Sequence, residues 1–238
     1  MSNLITEKIN IPVEDGTEMM LYTAKPKDGQ NLPGVMIFQE AFGVNAHIRE
    51  VTERLAAEGY IAVAPELFHR TGPAFEGSYA DFESVRPHIE SLSREGLTTD
   101  IISAYRWLIS QPGADKDKIV SIGFCMGGRI SVMAATLLPL KAAASFYGSN
   151  IAATLHHSIP LINCSLLLGW GGQDKHITHE QIEKLTKLLD ENEKDYVNIV
   201  FSKADHGFFN NDRSAYHPVS AAEAWELVKV FFKKSLSA

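Results

Sequence analysis

Residues 120–129 read VSIGFCMGGR, and this stretch decides which fold the rest of the chain is expected to adopt. An apolar, β-branched run reaches Gly123, then Cys125 follows, and Gly127 and Gly128 lead into residues compatible with a helix. Strand, sharp turn and helix in this order are typical of a nucleophile elbow, usually written G-x-S-x-G, here with cysteine in place of serine. Glycines flank such a turn because a Cβ there would collide with neighbouring backbone. A buried structural cysteine in a glycine-rich turn is the alternative interpretation.

Short apolar segments alternate with amphipathic segments along the chain, after a predicted hairpin over residues 4–24. This alternation of strand-like and helix-like segments predicts right-handed βαβ crossovers and an α/β fold: a mostly parallel, twisted sheet with helices on both faces. Chemistry in such sheets lies in the loops beyond the carboxyl ends of the strands. Strands are expected at residues 32–38, 60–68, 118–124, 141–148, 165–169 and 196–202, and helices at 45–59, about 99–110, after Cys125, at 178–194 and at 220–236.

Length and composition favour one globular domain over residues 1–238. The chain is 45% hydrophobic and 21% charged, which is ordinary globular usage and argues against disorder or a coiled coil. Residues 71–97, with proline, glycine and mixed polarity, are expected to form a loop or cap over the site. The net charge of −7 argues against a nucleic-acid partner, which favours basic surfaces.

The sequence predicts neither a secretory signal nor a membrane span. The amino-terminal segment lacks the apolar core of a secretory signal, and the longest apolar runs are strand-sized, too short to span a bilayer. Two cysteines, Cys125 and Cys164, make no disulfide framework. We therefore expect a cytoplasmic protein without a membrane partner, a metal or a cofactor, present as a monomer or weak homodimer.

Two further polar residues fall at the ends of predicted strands. Asp174 follows strand 165–169 behind a glycine-rich turn, where it could orient an imidazole; a capping or turn aspartate is the alternative. His206 follows strand 196–202, and alone it would be read as a solvated loop histidine. The chain order Cys125, Asp174, His206 is the order nucleophile, acid, histidine of α/β-hydrolases, so the three together favour a triad.

Two weaker signals accompany the predicted triad. Glu40 closes the apolar strand 32–38, where a buried carboxylate needs a partner; a surface-edge glutamate paired with arginine or lysine is the alternative. His176 and His179 form H-x-x-H without a carboxylate at useful spacing, which favours surface imidazoles over a metal site.

At this point the sequence resembles the dienelactone hydrolases (carboxymethylenebutenolidases), a family with the α/β-hydrolase fold. The resemblance spans nearly the whole chain. Its specific elements are QEAFGVNAHIREVTERLAAEGYIAVAPELF (39–68), IGFCMGGR (122–129), GGQD (171–174) and DHGF (205–208).

The resemblance implies a catalytic triad of Cys125, His206 and Asp174, with Glu40 in contact with the thiol. It also implies an oxyanion hole formed by the backbone N–H groups of Met126 and Ala41. The implied activity is a cysteine-dependent hydrolysis of a small ester or lactone through a thioester acyl-enzyme. A carboxylesterase or thioesterase of broad scope on the same triad is one alternative, and a non-catalytic α/β-hydrolase that binds a ligand is another.

One position departs from the family pattern. Family members that act on dienelactone use arginines to clamp the substrate carboxylate, one of them four residues after the histidine, and here that position is Asn210. Arg213 lies nearby but out of register, and an amide cannot replace a bidentate guanidinium. We therefore expect a different small ester or lactone. The residues predicted around it are Phe42, Tyr79, Phe208, Phe209, Asn210 and Arg213, although aromatics at such positions are more often core.

Overall fold

The computed structural model describes residues 3–237 and divides after Val120 into two compact units, residues 1–120 and 121–238. The predicted single domain over residues 1–238 stays a prediction. The elements of the first unit are β1 (Leu4–Pro12), β2 (Glu18–Pro26), β3 (Leu32–Phe38), α1 (Ala46–Ala57), β4 (Ile61–Pro65), α2 (Phe82–Glu90), α3 (Arg94–Ser110) and the start of β5 (Ala114–Phe124).

In the first unit, neighbouring strands follow the order β1-β2-β4-β3. β1 and β2 pair antiparallel over their full length, as the predicted hairpin requires, and its turn is closed by the Thr17 N–H donating to Asp15. β2 pairs antiparallel with β4, whereas β3 and β4 are parallel. Helices α1 and α3 pack on this sheet. Asn45 accepts a hydrogen bond from the Ile48 N–H and so caps α1 where the sequence predicts its start.

The segment 71–97 is more helical than predicted. α2 begins after Asp81, whose side chain accepts from the Ser84 N–H, and α3 begins at Arg94, five residues before the expected start near 99. The Ser93 hydroxyl accepts from the Gly96 N–H at 2.9 Å, and this cap starts the helix early. A cap role for the segment over a site stays a prediction.

The second unit holds the end of β5 and the strands that follow it, in the order β5-β6-β7-β8. β6 and β7 are parallel, and so are β7 and β8, so the loops that follow these strands leave the sheet at one edge. Helix α4 packs against β6, and α7 packs against β6 and β7. The elements are α4 (Met126–Leu137), β6 (Ala142–Phe146), α5 (Ile151–Leu155), a short 3₁₀ helix (Ile159–Leu161), β7 (Ser165–Gly171), α6 (His179–Glu191), β8 (Tyr196–Phe201) and α7 (Pro218–Leu236).

Within residues 3–237, no helix has both the length and the apolar character that crossing a membrane requires.

Candidate active site

Cys125 stands alone between β5 and α4, in a strained backbone conformation. Its φ is 55° and its ψ is −119°, a region that non-glycine residues rarely adopt. The turn is fixed from both sides, because the Cys125 N–H donates to the Phe146 carbonyl at 3.0 Å and its carbonyl accepts from the Gly128 N–H. A Cβ on Gly123 would lie 1.9 Å from the Gly127 carbonyl oxygen, which is why glycine stands there. The local geometry is that of the predicted elbow, with a partly exposed thiol.

His206 and Asp174 meet across the loops that follow β8 and β7. Nδ1 of His206 lies 2.7 Å from Oδ2 of Asp174, and both side chains are largely buried. The other carboxylate oxygen, Oδ1, accepts from the backbone N–H groups of His176 at 2.7 Å and Ile177 at 3.1 Å. Asp174 is therefore both the turn aspartate and the imidazole partner, the two interpretations that its sequence context left open.

The Cys125 side chain forms a hydrogen bond with the His206 ring, which completes a chain of three polar groups within the second unit. Burial lowers the pKa of His206, but the hydrogen bonds and charges of Asp174 and Cys125 outweigh it and raise that pKa to about 10. Burial alone would raise the pKa of Asp174, yet its hydrogen bond and charge interaction with His206 leave that pKa lowered. The imidazole therefore carries its proton at neutral pH, between two groups that stabilise the charge.

The backbone N–H of Met126 lies at the first position of α4, next to the sulfur. N–H groups in the first turn of a helix have no intrahelical acceptor, and the helix dipole adds partial positive charge there. This is the place where a developing oxyanion would be stabilised.

Beyond His206, the loop after β8 carries two of the residues predicted to contact a substrate. Asn210 is fully buried; its N–H donates to the Gly207 carbonyl and its side chain accepts from the Asp212 N–H, so it shapes the loop. The Arg213 guanidinium lies over Gly207, where an added Cβ would be 2.3 Å from one of its nitrogens. Arg213 thus lies against Gly207, the residue after His206, despite being out of register in sequence.

The aromatic residues of the second unit belong mainly to the core. Phe208 is fully buried and packs against Phe146, Tyr147 and Phe201, so we leave it out of the proposed substrate site. Phe209 is also buried. Sequence reasoning missed Tyr147, whose ring lies 5.1 Å from that of His206. Its position directly after β6, at the edge where the other loops lie, was the available signal.

The remaining predicted residues lie in the first unit. Glu40 directly follows Gln39 after β3 and is fully buried. Ala41 and Phe42 form a cluster with Val85 of α2, against which Tyr79 packs; the Phe42 and Tyr79 rings are 4.6 Å apart. The roles of Glu40 and Ala41 toward the thiol, and those of Phe42 and Tyr79 toward a substrate, stay predictions.

Two other sequence features have plain structural accounts. Burial raises the pKa of the Cys164 thiol to about 12, which makes this second cysteine a poor nucleophile. The His176 ring lies 5.3 Å from the His206 ring, while His179 opens α6. Over residues 3–237, no three His, Cys, Asp or Glu side chains are grouped as a metal site would need.

Known proteins similar to this chain agree with this fold. The sequence model of the dienelactone hydrolase family matches residues 19–236. A Synechocystis sp. protein named "Putative carboxymethylenebutenolidase" is 33% identical over 240 residues, with 97% of each chain covered. A protein of the same name from Escherichia coli K12 is 34% identical over 232 residues, covering 92% of this chain and 83% of its own.

Solved structures give the same result. The crystal structure titled "Putative Dienelactone Hydrolase" from Klebsiella pneumoniae is 30% identical, with a TM-score of 0.89 over 97% of this chain and 98% of its own. A metagenomic dienelactone hydrolase-like promiscuous phosphotriesterase, P91, at 23% identity and a TM-score of 0.85 over 98% of each chain, shares the fold. The fold is the α/β-hydrolase fold, and the chain belongs to the dienelactone hydrolase family, whose enzymes hydrolyse ester or lactone bonds.

Proposed function

We propose that this chain hydrolyses a small ester or lactone by nucleophilic attack of the Cys125 thiolate. His206 would carry the proton, and Asp174 would orient the imidazole and stabilise its charged form. One observation supports this most strongly: the strained Cys125 is hydrogen-bonded to a histidine whose other ring nitrogen lies 2.7 Å from a buried carboxylate.

In the proposed reaction, His206 already holds the proton of the Cys125 thiol before substrate binds, so the attacking group is a thiolate beside an imidazolium. The sulfur attacks the carbonyl carbon, and the carbonyl electron pair moves to oxygen. When the tetrahedral intermediate collapses, the bond to the leaving alkoxide breaks and His206 gives the alkoxide its proton. Neutral His206 then accepts a proton from water as the water oxygen attacks the thioester carbon. The C–S bond breaks, its electron pair returns to sulfur, and the carboxylic acid product leaves and gives its proton to solvent, which restores the thiolate and the imidazolium.

The oxyanion would accept a hydrogen bond from the Met126 N–H and, as the resemblance implies, from the Ala41 N–H. Loss of one such donor typically costs on the order of 3 kcal/mol in the transition state. In a second, alternative route, the thiol would stay neutral in contact with Glu40 until substrate binds, and the displaced Glu40 carboxylate would take its proton in place of His206. Both roles, of Ala41 and of Glu40, rest on the family resemblance.

The substrate class follows from the loop after β8. Relatives are named carboxymethylenebutenolidases, but Asn210 stands where the family places a clamp arginine and is occupied in shaping its own loop. We therefore propose a small ester or lactone other than dienelactone, with Arg213 as a contact because its guanidinium lies against Gly207, the residue after His206. The cytoplasmic location and the monomeric or weakly dimeric state stay predictions.

The test is turnover of a panel of chromogenic esters, thioesters and lactones by wild type, Cys125→Ala and the matched control Cys164→Ala. We expect Cys125→Ala to abolish turnover, Cys164→Ala to keep it, and rapid quench with mass spectrometry to detect an acyl group on Cys125. Near-wild-type activity of Cys125→Ala would contradict the proposal. The pattern across the panel separates a narrow lactonase from a broad esterase, and no turnover by a folded wild type would favour a ligand-binding protein.

A further inference from the structure

Arg129 is the last residue of the motif that opens the second unit, and the proposed reaction does not use it. It lies in the first turns of α4, four residues after Cys125, which caps that helix. Residues four apart share a helix face, and helical side chains lean toward the amino terminus of their helix. The Arg129 side chain therefore extends back along α4 toward the residue that carries the thiol.

The Arg129 side chain is half-buried, and part of its guanidinium is out of contact with water. Its Nε is buried and, among the described residues of the second unit, has no hydrogen-bond partner. No carboxylate of residues 121–237 forms an ion pair with it, although most arginines taken out of water are paired. The Cys125 thiol is close enough for a charge interaction with this guanidinium, and that interaction opposes the lowering of the Arg129 pKa by burial.

We propose that Arg129 is a positioning residue whose fixed positive charge holds Cys125 in its thiolate form. The inference rests on the proposed role of Cys125 as the nucleophile. The proton leaves Sγ for the free ring nitrogen of His206, while the guanidinium keeps its own proton throughout. Thiolates are favoured beside arginine, and a guanidinium, unlike an imidazolium, keeps its charge throughout the pH range in which a thiol titrates.

The test measures alkylation of Cys125 by iodoacetamide as a function of pH, which reports the thiolate without any ester substrate. The variants are Arg129→Gln and Arg129→Met, which remove the charge, and Arg129→Lys, which keeps it. At neutral pH we expect alkylation to slow about tenfold in the two neutral variants, and their rate profiles to shift to higher pH. Arg129→Lys should restore most of the rate.

The matched control is Lys187→Gln, which removes one positive charge from an exposed position of α6 in the same unit and should leave the alkylation profile unchanged. Profiles of Arg129→Gln and Arg129→Met that superimpose on wild type would overturn the proposal, and one folded neutral variant is enough to decide. Equal slowing in Arg129→Lys would also overturn it, because a purely structural role would then explain the loss.

A measurement on the wild type covers the case in which neither neutral variant folds. A fixed cation beside the sulfur favours an anionic reagent, so the ratio of iodoacetate to iodoacetamide rates at Cys125 should exceed that of a small free thiol. A ratio at or below the free thiol overturns the proposal. If Cys125→Ala keeps ester turnover while the Arg129 variants still shift alkylation, the proposed function fails and the coupling of Arg129 to Cys125 stands.

Discussion

At the scale of single residues, Asp174 shows how one carboxylate can hold both a loop and a ring. Oδ1 accepts two backbone N–H groups of its own loop, and Oδ2 lies against the His206 ring. The loop bonds fix the direction of the second oxygen, and that oxygen fixes the ring. Orientation of the imidazole therefore depends on a residue that never touches substrate in the proposed reaction.

Asp174→Asn tests this dependence. The amide keeps the size of the side chain but favours the wrong imidazole tautomer and removes the charge that stabilises imidazolium. We expect kcat/KM for an ester to fall about 10³- to 10⁴-fold with little change in fold, as in serine triads. Asp190→Asn, on α6 in the same unit, is the matched control and should keep full activity. A loss of less than about tenfold in Asp174→Asn would remove Asp174 from the machinery.

The protonation of His206 gives a second prediction at this scale. Burial lowers the pKa of His206, while Asp174 and Cys125 raise it to about 10, so removal of the sulfur leaves the lowering effect and takes away part of the raising one. Cys125→Ser should therefore move the NMR titration midpoint of the His206 ring to lower pH. Cys164→Ser should leave the midpoint in place. An unchanged midpoint in Cys125→Ser would mean that sulfur and ring do not interact.

At the scale of elements, the start of α6 supports the loop that carries Asp174. Thr178 caps the helix through the Gln181 N–H, and the Gln181 side chain accepts from the Thr178 N–H, a reciprocal capping box. Ile177, directly before the cap, donates to Asp174. The helix start and the position of the acid are therefore set by adjoining residues.

Thr178→Ala should destabilise the protein by about 1 kcal/mol, because the Gln181 N–H loses its side-chain acceptor. The free energy of unfolding from urea denaturation is the measurement. Thr186→Ala, later in the same helix, is the matched control and should change stability by less than about 0.5 kcal/mol. Equal effects of the two substitutions would show that the capping box contributes nothing.

Helices and strands with strong hydrophobic patterns were predictable from sequence, but the polar residues that lengthen some of them at their amino-terminal ends were not. The hairpin, β3 and the capped α1 lie where predicted. β5, by contrast, begins at Ala114 rather than 118, because its first residues are polar and partly exposed and give no apolar signal. The early start of α3 depends on one serine cap inside a segment of mixed polarity.

At the scale of the whole molecule, the order of residues along the chain predicted more of the site than local pattern did. The triad candidates were found because three loops at one edge of a parallel sheet follow in a known order. Arg129 and Tyr147 were missed because their importance depends on burial and on neighbours brought together by folding. Substrate contacts are hardest to predict, because the sequence alone does not tell whether an aromatic residue in a loop packs into the core or lines a pocket. Phe208, predicted to contact a substrate, lies in the core.

Global stability should depend on pH through Glu66, a fully buried carboxyl of the first unit. Burial raises the pKa of Glu66 from 4.5 to about 7, although the Phe68 N–H donates to it. A raised pKa means that protonation favours the folded state, so this contribution is full below about pH 4.5 and is lost as pH rises through about 7.

Glu66→Gln removes this titration. Relative to wild type, the free energy of unfolding of the variant should increase by roughly 2–3 kcal/mol between the acidic and alkaline ends of that range. Denaturant unfolding at several pH values is the measurement, and Glu90→Gln, exposed at the end of α2, is the matched control with no such trend. Parallel pH curves for wild type and Glu66→Gln would contradict the prediction.

The left-handed backbone at Cys125 has a consequence for engineering. A side chain at a φ of 55° costs of order 1–3 kcal/mol, a cost that glycine, lacking a Cβ, largely avoids. Screening libraries of this enzyme for heat resistance alone would therefore reward glycine at the position of the proposed nucleophile. Selection has to include turnover, or the most robust survivors will be inert.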